Sequence, residues 1–167
     1  MRYIIKEKVW SLGDTFNIFD EHETPVFQVK GKAISWGNKL FFQDMDGNEL
    51  AYIAQKFGFK PKYSIERDGE VFAEMVQEFR WFKKEFTLDI PGPNDYSIKG
   101  EFWKHNFDFI RFDRVVAHVS KKAFSWADSY TVDIDDDEDD ISILCACIVI
   151  DKILDASDSS SISINDD

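Results

Sequence analysis

The segment Ile141–Leu154, ISILCACIVIDKIL, tolerates few environments. From Ile141 to Ile150 its single polar side chain is Ser142, so a helix built from it is apolar on every face. Such a helix has to be enclosed by protein or by lipid. A bilayer span takes ~20 apolar residues, and Asp151 and Lys152 interrupt this run well before that length. The expectation is a core helix over 140–154 that the rest of the chain encloses. In the acidic run just before it, Asp133–Asp140, only Ile134 is uncharged. Those acids suit the partial positive charge at a helix N-terminus.

The remaining residues must supply the enclosure. At 167 residues, 44% hydrophobic and 16% aromatic, the chain has the material for one domain with a sizeable core. Cys145 and Cys147 both fall in the apolar helix. Two positions apart, they point to nearly opposite sides and cannot pair. Buried thiols without a disulfide framework suit a reducing compartment. The first residues, MRYIIKEKVW, lack the apolar core of a signal peptide. A cytoplasmic protein, not an integral membrane protein, is expected. The net charge of −12 is unevenly spread. From Asp133 onward the chain carries 12 of its 32 acids and one of its 20 bases, which leaves residues 1–132 at −1. That balance argues against nucleic acid as a partner.

An internal repeat organises residues 8–130. Five windows share a pattern: KVWSLGDTF from Lys8, KAISWGNKL from Lys32, QKFGFKPKY from Gln55, EFRWFKKEF from Glu78 and KAFSWADSY from Lys122. Each begins on a polar residue, has an apolar or aromatic fifth residue and ends on a large apolar one. Their starts are separated by 24, 23, 23 and 44 residues, the last close to two periods. Between them lie turns of a second kind, Asp20–Thr24, Asp44–Asn48, Arg67–Glu70, Pro91–Asn94 and Phe112–Arg114. Asp-Gly between alternating apolar residues is a strong hairpin signal.

The segments between turns alternate with period two, as in Tyr96-Ser-Ile98-Lys-Gly-Glu-Phe102. They predict about twelve strands, at 2–10, 14–19, 25–32, 38–44, 49–56, 61–67, 70–79, 84–90, 94–102, 105–111, 114–122 and 128–135. Short connections make neighbours antiparallel, and closure removes exposed edges. A barrel of that size is too wide for its own side chains to fill. The predicted fold is therefore mainly β: a closed antiparallel barrel of about twelve strands around a central hydrophobic C-terminal α-helix. One domain spans 1–156, and the Ser/Asp-rich residues 157–167 are expected to form a disordered tail.

The stretches KEKVWSLGDTFNIFDE and VFQVKGKAISWGNKLFFQDMDGNELAYIAQK, the segment KKAFSWADSYTVDI, and the acidic run before an apolar helix together resemble the LURP-one-related family over residues 1–156. That family resembles the tubby C-terminal domain and the phospholipid scramblases. The resemblance implies a twelve-stranded, tubby-like barrel around a central helix and supplies no catalytic residues or cofactor. Tubby domains bind phosphoinositides through basic residues, but no motif here maps that site position by position. Nor does the chain show the Cys-rich segment or calcium-binding stretch of the scramblases.

Alternating turns place one kind at each mouth of an up-and-down barrel. The repeat windows then gather Lys8, Trp10, Lys32, Trp36, Lys56, Lys60, Lys62, Trp81, Lys83, Lys84, Lys122 and Trp126 at one mouth, with Phe59, Phe82 and Lys121. Lysine is drawn to anionic headgroups and tryptophan favours the membrane interface, so this mouth is the candidate surface for an anionic lipid or a phosphorylated ligand. The plainer alternative is aromatics folded inward to close the barrel, beneath ordinary solvated lysines. The other mouth collects Asp20, Asp44, Asp68 and Asp113 with the acidic run. That run lacks the glycine and spacing of a calcium loop, and helix capping explains it more simply.

His22, His105 and His118 belong to no nucleophile or metal motif. His105 and His118 are expected on strands. The functional expectation is a non-enzymatic binding or scaffolding domain, without cofactor or metal, whose partner is a protein or an anionic lipid headgroup. Phospholipid or phosphoinositide binding through the Lys/Trp mouth is the alternative, and an enzyme of unrecognised type is third.

Overall fold

A computed structural model describes residues 1–8, 15–31, 39–59, 62–80, 83–121 and 129–162, with backbone alone for 7, 8, 15, 79, 80 and 159–162. Twelve strands follow in order: β1 (Arg2–Lys8), β2 (Thr15–Asp20), β3 (Pro25–Gly31), β4 (Lys39–Asp44), β5 (Glu49–Lys56), β6 (Lys62–Arg67), β7 (Glu70–Arg80), β8 (Lys83–Asp89), β9 (Tyr96–Glu101), β10 (Asn106–Arg111), β11 (Arg114–Ser120) and β12 (Ser129–Ile134). Helix α1 (Asp140–Ile162) ends the described chain. Each strand pairs antiparallel with its sequence neighbours, and β12 pairs with β1 from Arg2↔Asp133 to Lys6↔Ser129, so the sheet is a closed barrel.

The period-two pattern sets which side chains face in. Phe16 and Ile18 on β2, Leu40 and Phe42 on β4, Phe86 and Leu88 on β8, and Phe107 and Phe109 on β10 all point into one core. Every residue of α1 from Ile143 to Ile150 has zero exposure and belongs to that core. Polar ties reach the segment 138–151 from β1, β6, β9, β10 and β12. The helix therefore lies inside the barrel, and its uniform apolarity is matched by a complete enclosure.

The turns of the predicted repeat windows lie largely outside the described residues; the second kind of turn, between them, is described. In the β2–β3 turn, Asp20 Oδ1 accepts the His22 and Thr24 amides at 2.9 and 2.8 Å. In the β4–β5 turn, Asp44 Oδ1 accepts the Asp46 and Asn48 amides at 3.0 and 2.9 Å. Glu23 (φ 59°) and Gly47 (φ 87°) occupy the equivalent left-handed position. The β6–β7 and β10–β11 hairpins instead turn on two positive-φ residues each, Asp68-Gly69 and Phe112-Asp113, which matches the strand twist. The 44-residue step also finds its explanation. The missing unit is the β9–β10 connection, a single 3-10 turn at Phe102–Lys104.

Two expectations need correcting. The helix does not stop at 154, and the tail does not begin at 157: α1 continues to Ile162. Ser157 Oγ donates to the Ile153 carbonyl at 2.9 Å, one turn back, so these polar residues extend a helix already nucleated by its buried part. Residues 163–167 lie outside the described ones. His105 is not on a strand either. It holds a left-handed conformation (φ 47°) as the C-cap of the 3-10 turn, and its amide donates to the Phe102 carbonyl at 2.9 Å. Gly100 explains the tight turn. At φ 146°, a Cβ there would lie 2.5 Å from the Asn106 carbonyl oxygen.

Candidate functional site

The β1–β2, β3–β4, β5–β6, β7–β8, β9–β10 and β11–β12 connections share one mouth, and the other five hairpin turns share the opposite one with the acidic run. Helix α1 starts at the second mouth and exits at the first. Of the predicted surface residues, Lys56, Lys62, Lys83 and Lys84 are described, and all lie at the first mouth, at ends of β5, β6 and β8. Lys8 ends β1 at the same mouth, with only its backbone described. Trp10, Lys32, Trp36, Lys60, Trp81, Lys122 and Trp126 lie outside the described residues.

The charges here are less free than their number suggests. Lys62 Nζ is 2.6 Å from Glu74, Lys104 Nζ is 2.6 Å from Glu101, and Lys56 Nζ is 3.6 Å from Glu66. Lys84 Nζ sits 5.0 Å above the Trp103 ring, a cation–π contact. Lys83 and Lys121 are exposed and have no carboxylate partner among the described residues. Trp103, which the sequence reading did not place at this mouth, is 51% exposed there. So are Phe57 and Phe59 of the β5–β6 connection, at 76% and 104%.

Just inside this rim is a depression of about 180 Å³ lined by Trp103, His105, Lys121, Tyr130, Asp151 and Asp155, among others. Its floor is a polar cluster in which the His105 Nδ1 is buried without a hydrogen-bond partner among the described residues. Asp151 Oδ1 meets His105 Nε2 at 3.0 Å, and Tyr130 OH donates to Asp151 Oδ2 at 2.6 Å. The His105 and Tyr130 rings stack at 4.5 Å. Asp151 and Lys152 break the apolar run in the sequence, yet both are buried. Both oxygens of Asp151 are engaged, so the cluster anchors the helix and presents no free carboxylate.

At the opposite mouth the acids meet bases that sequence reasoning did not assign to them. Arg67 Nη2 donates to Asp139 Oδ2 at 2.6 Å and to Ser142 Oγ at 3.1 Å. Tyr96 OH donates to Glu138 Oε2 at 2.6 Å, with Arg111 Nη1 at 3.5 Å from the same oxygen. Tyr3 OH donates to Asp140, and Arg114 reaches Asp135 at 3.4 Å. Burial, reinforced by the hydrogen bond to a carboxylate, pushes the Tyr3 and Tyr96 phenols well above their ordinary range. Among the described residues no group of three or more His, Cys, Asp or Glu is placed to hold a metal ion. The acidic run is better described as a ring of strand-end clasps on the helix N-terminus. Nearby, Phe72, Ile90, Pro91, Tyr96 and Arg111 line a depression of about 330 Å³.

The other two histidines pair locally. His118 Nδ1 lies 2.6 Å from Asp108, its cross-strand neighbour on β10, and His22 is exposed in its turn beside Glu21. Among the described residues no helix is long and apolar enough to cross a membrane.

This architecture defines a class: twelve antiparallel strands closed around an apolar helix that is clasped at both ends. The chain belongs to the LURP-one-related family, whose pattern matches residues 1–151. It is also 33% identical, over 159 residues, to the uncharacterized protein YxjI of Bacillus subtilis (strain 168), covering 95% of this chain and 96% of the relative.

Proposed function

We propose that this protein is a non-enzymatic, cytoplasmic binding domain that meets its ligand at a barrel mouth. The filled interior supports this reading. The barrel's volume is taken by α1, fully buried from Ile143 to Ile150, and the described depressions lie at the surface. The free, buried thiols of Cys145 and Cys147 fit a reducing compartment. A screen of lipids and metabolites, read as an upward shift in Tm, should return a compound that is recovered unchanged. Recovery of a converted product would overturn the reading.

A more specific reading takes the ligand as an anionic phospholipid or phosphoinositide headgroup at the lysine-bearing mouth. Its support is the exposed Trp103 beneath Lys84, with Lys83 and Lys121 exposed at the same mouth and without a carboxylate partner among the described residues. Flotation with anionic vesicles, comparing the unaltered chain with a Lys32→Glu, Lys56→Glu, Lys83→Glu, Lys122→Glu variant, tests it. Flotation of the first and not the second is expected. An unaltered protein that stays with the soluble fraction would end this reading.

A further inference from the structure

We propose that the β5–β6 connection is a membrane prong: Phe57 and Phe59 enter the apolar layer of an anionic bilayer on which the lysine-bearing mouth rests. The inference rests on the anionic-lipid reading and adds what holds the protein there. Phe59 and Phe57 are the two most exposed large hydrophobic side chains among the described residues, at 104% and 76%. They stand two positions apart, with Gly58 between them, just past the end of β5. Neither contributes to the barrel core. Exposed apolar side chains gathered at one place and flanked by charge mark an interaction site.

The flanking charge favours a bilayer over a soluble phosphorylated ligand. Lys56 and Lys62 bracket the connection, but their amines are held at Glu66 and Glu74. Their long-range attraction for an anion is therefore largely cancelled, and apolar contact must supply the affinity. A free headgroup has no apolar phase to receive a phenyl ring, whereas a bilayer has one directly beneath its phosphates.

The geometry also favours a flat partner over a groove. Trp103, the other exposed aromatic described at this mouth, lies in the β9–β10 connection, four strands around the wall from the prong. That is about 19 Å at the usual spacing between strands. Two aromatic contacts that far apart on one rim can rest together on a plane. Tryptophan settles at the headgroup level, while phenylalanine reaches deeper.

The full chain should be tested by co-sedimentation with phosphatidylcholine–phosphatidylglycerol vesicles. The Phe57→Ser, Phe59→Ser double variant is predicted to lose on the order of tenfold or more in partitioning, with an unchanged Tm because neither ring is packed. The remaining interaction of the unaltered chain should survive added salt that would screen lysine attraction. If the double variant partitions as well as the unaltered protein while Lys83→Glu, Lys121→Glu abolishes partitioning, the prong is overturned and the charged-mouth reading stands. If soluble glycerophosphoglycerol displaces the protein completely, the site takes a headgroup and the prong is likewise overturned. If the unaltered chain does not sediment with vesicles, both readings fall.

Discussion

Arg67 at the end of β6 and Asp139 at the start of the helix are joined at 2.6 Å across 72 residues of sequence. The same guanidinium reaches Ser142 and lies 4.3 Å from the Phe72 ring. One side chain thus ties the barrel wall, the helix N-terminus and a partly buried aromatic together. Arg67→Ala would leave Asp139 without its cation in a half-buried place. We expect a loss of about 1–3 kcal/mol in urea denaturation. Arg114→Ala removes a longer, exposed pairing to Asp135 and should change stability by less than about 0.5 kcal/mol. Equal effects would show that the clasps act only through net charge.

Stability should fall on the alkaline side. Burial raises the Cys145 and Cys147 thiols above their ordinary value of 9.0, and it raises the Tyr3 and Tyr96 phenols above 10.0. In the unfolded chain these groups release protons at their ordinary values, while the folded protein retains them. Their contribution is therefore complete below about pH 9 and is lost progressively as pH rises beyond it. Urea midpoints should decline from there upward. Cys145→Ala, Cys147→Ala should flatten the first part of that decline.

The same two thiols report on the enclosure. Both are fully buried, so a thiol reagent should label neither in the native protein and both after denaturation. Fast labelling of the native form at neutral pH would mean that the wall opens locally without global unfolding.

The equivalence of Glu23 and Gly47 predicts a stabilising change. Glu23 bears a side chain at a left-handed position where the matching turn carries glycine. Glu23→Gly should raise stability by about 0.5–1 kcal/mol, read as an increase in Tm. Gly100→Ala should do the reverse, by about 2–4 kcal/mol, because the new methyl would press on the backbone of β10.

Much of the wall was legible because each strand writes its burial into alternation. The strand from Glu49 to Lys56 was placed to the residue, and the others fell close to their observed ends wherever these are described. The interior position of the helix followed from volume alone. What stayed hidden was pairing at long range. Nothing near Asp151 in sequence announces His105, 46 residues away, or that a carboxylate after an apolar run would be drawn inside. Arg67, Arg111 and Arg114 lie among acidic turns, so counting charge by turn masked their role as clasps. Phe57 was passed over because a lone aromatic in a connection has no period to betray whether it faces in or out.

The order of elements carries a cost that the finished fold conceals. Synthesis proceeds from the N-terminus, so the ribosome releases all twelve strands before it releases the helix that fills them. Until α1 emerges, the nascent wall exposes Phe16, Phe42, Phe86 and Phe109 without the helix that covers them, and the edge of β1 away from β2 has no partner until β12 is made. Unpaired edges and bare apolar faces are what aggregation and chaperones recognise. Until the helix is available to fill the barrel, the nascent chain therefore presents an open edge and apolar wall of the kind that chaperones bind.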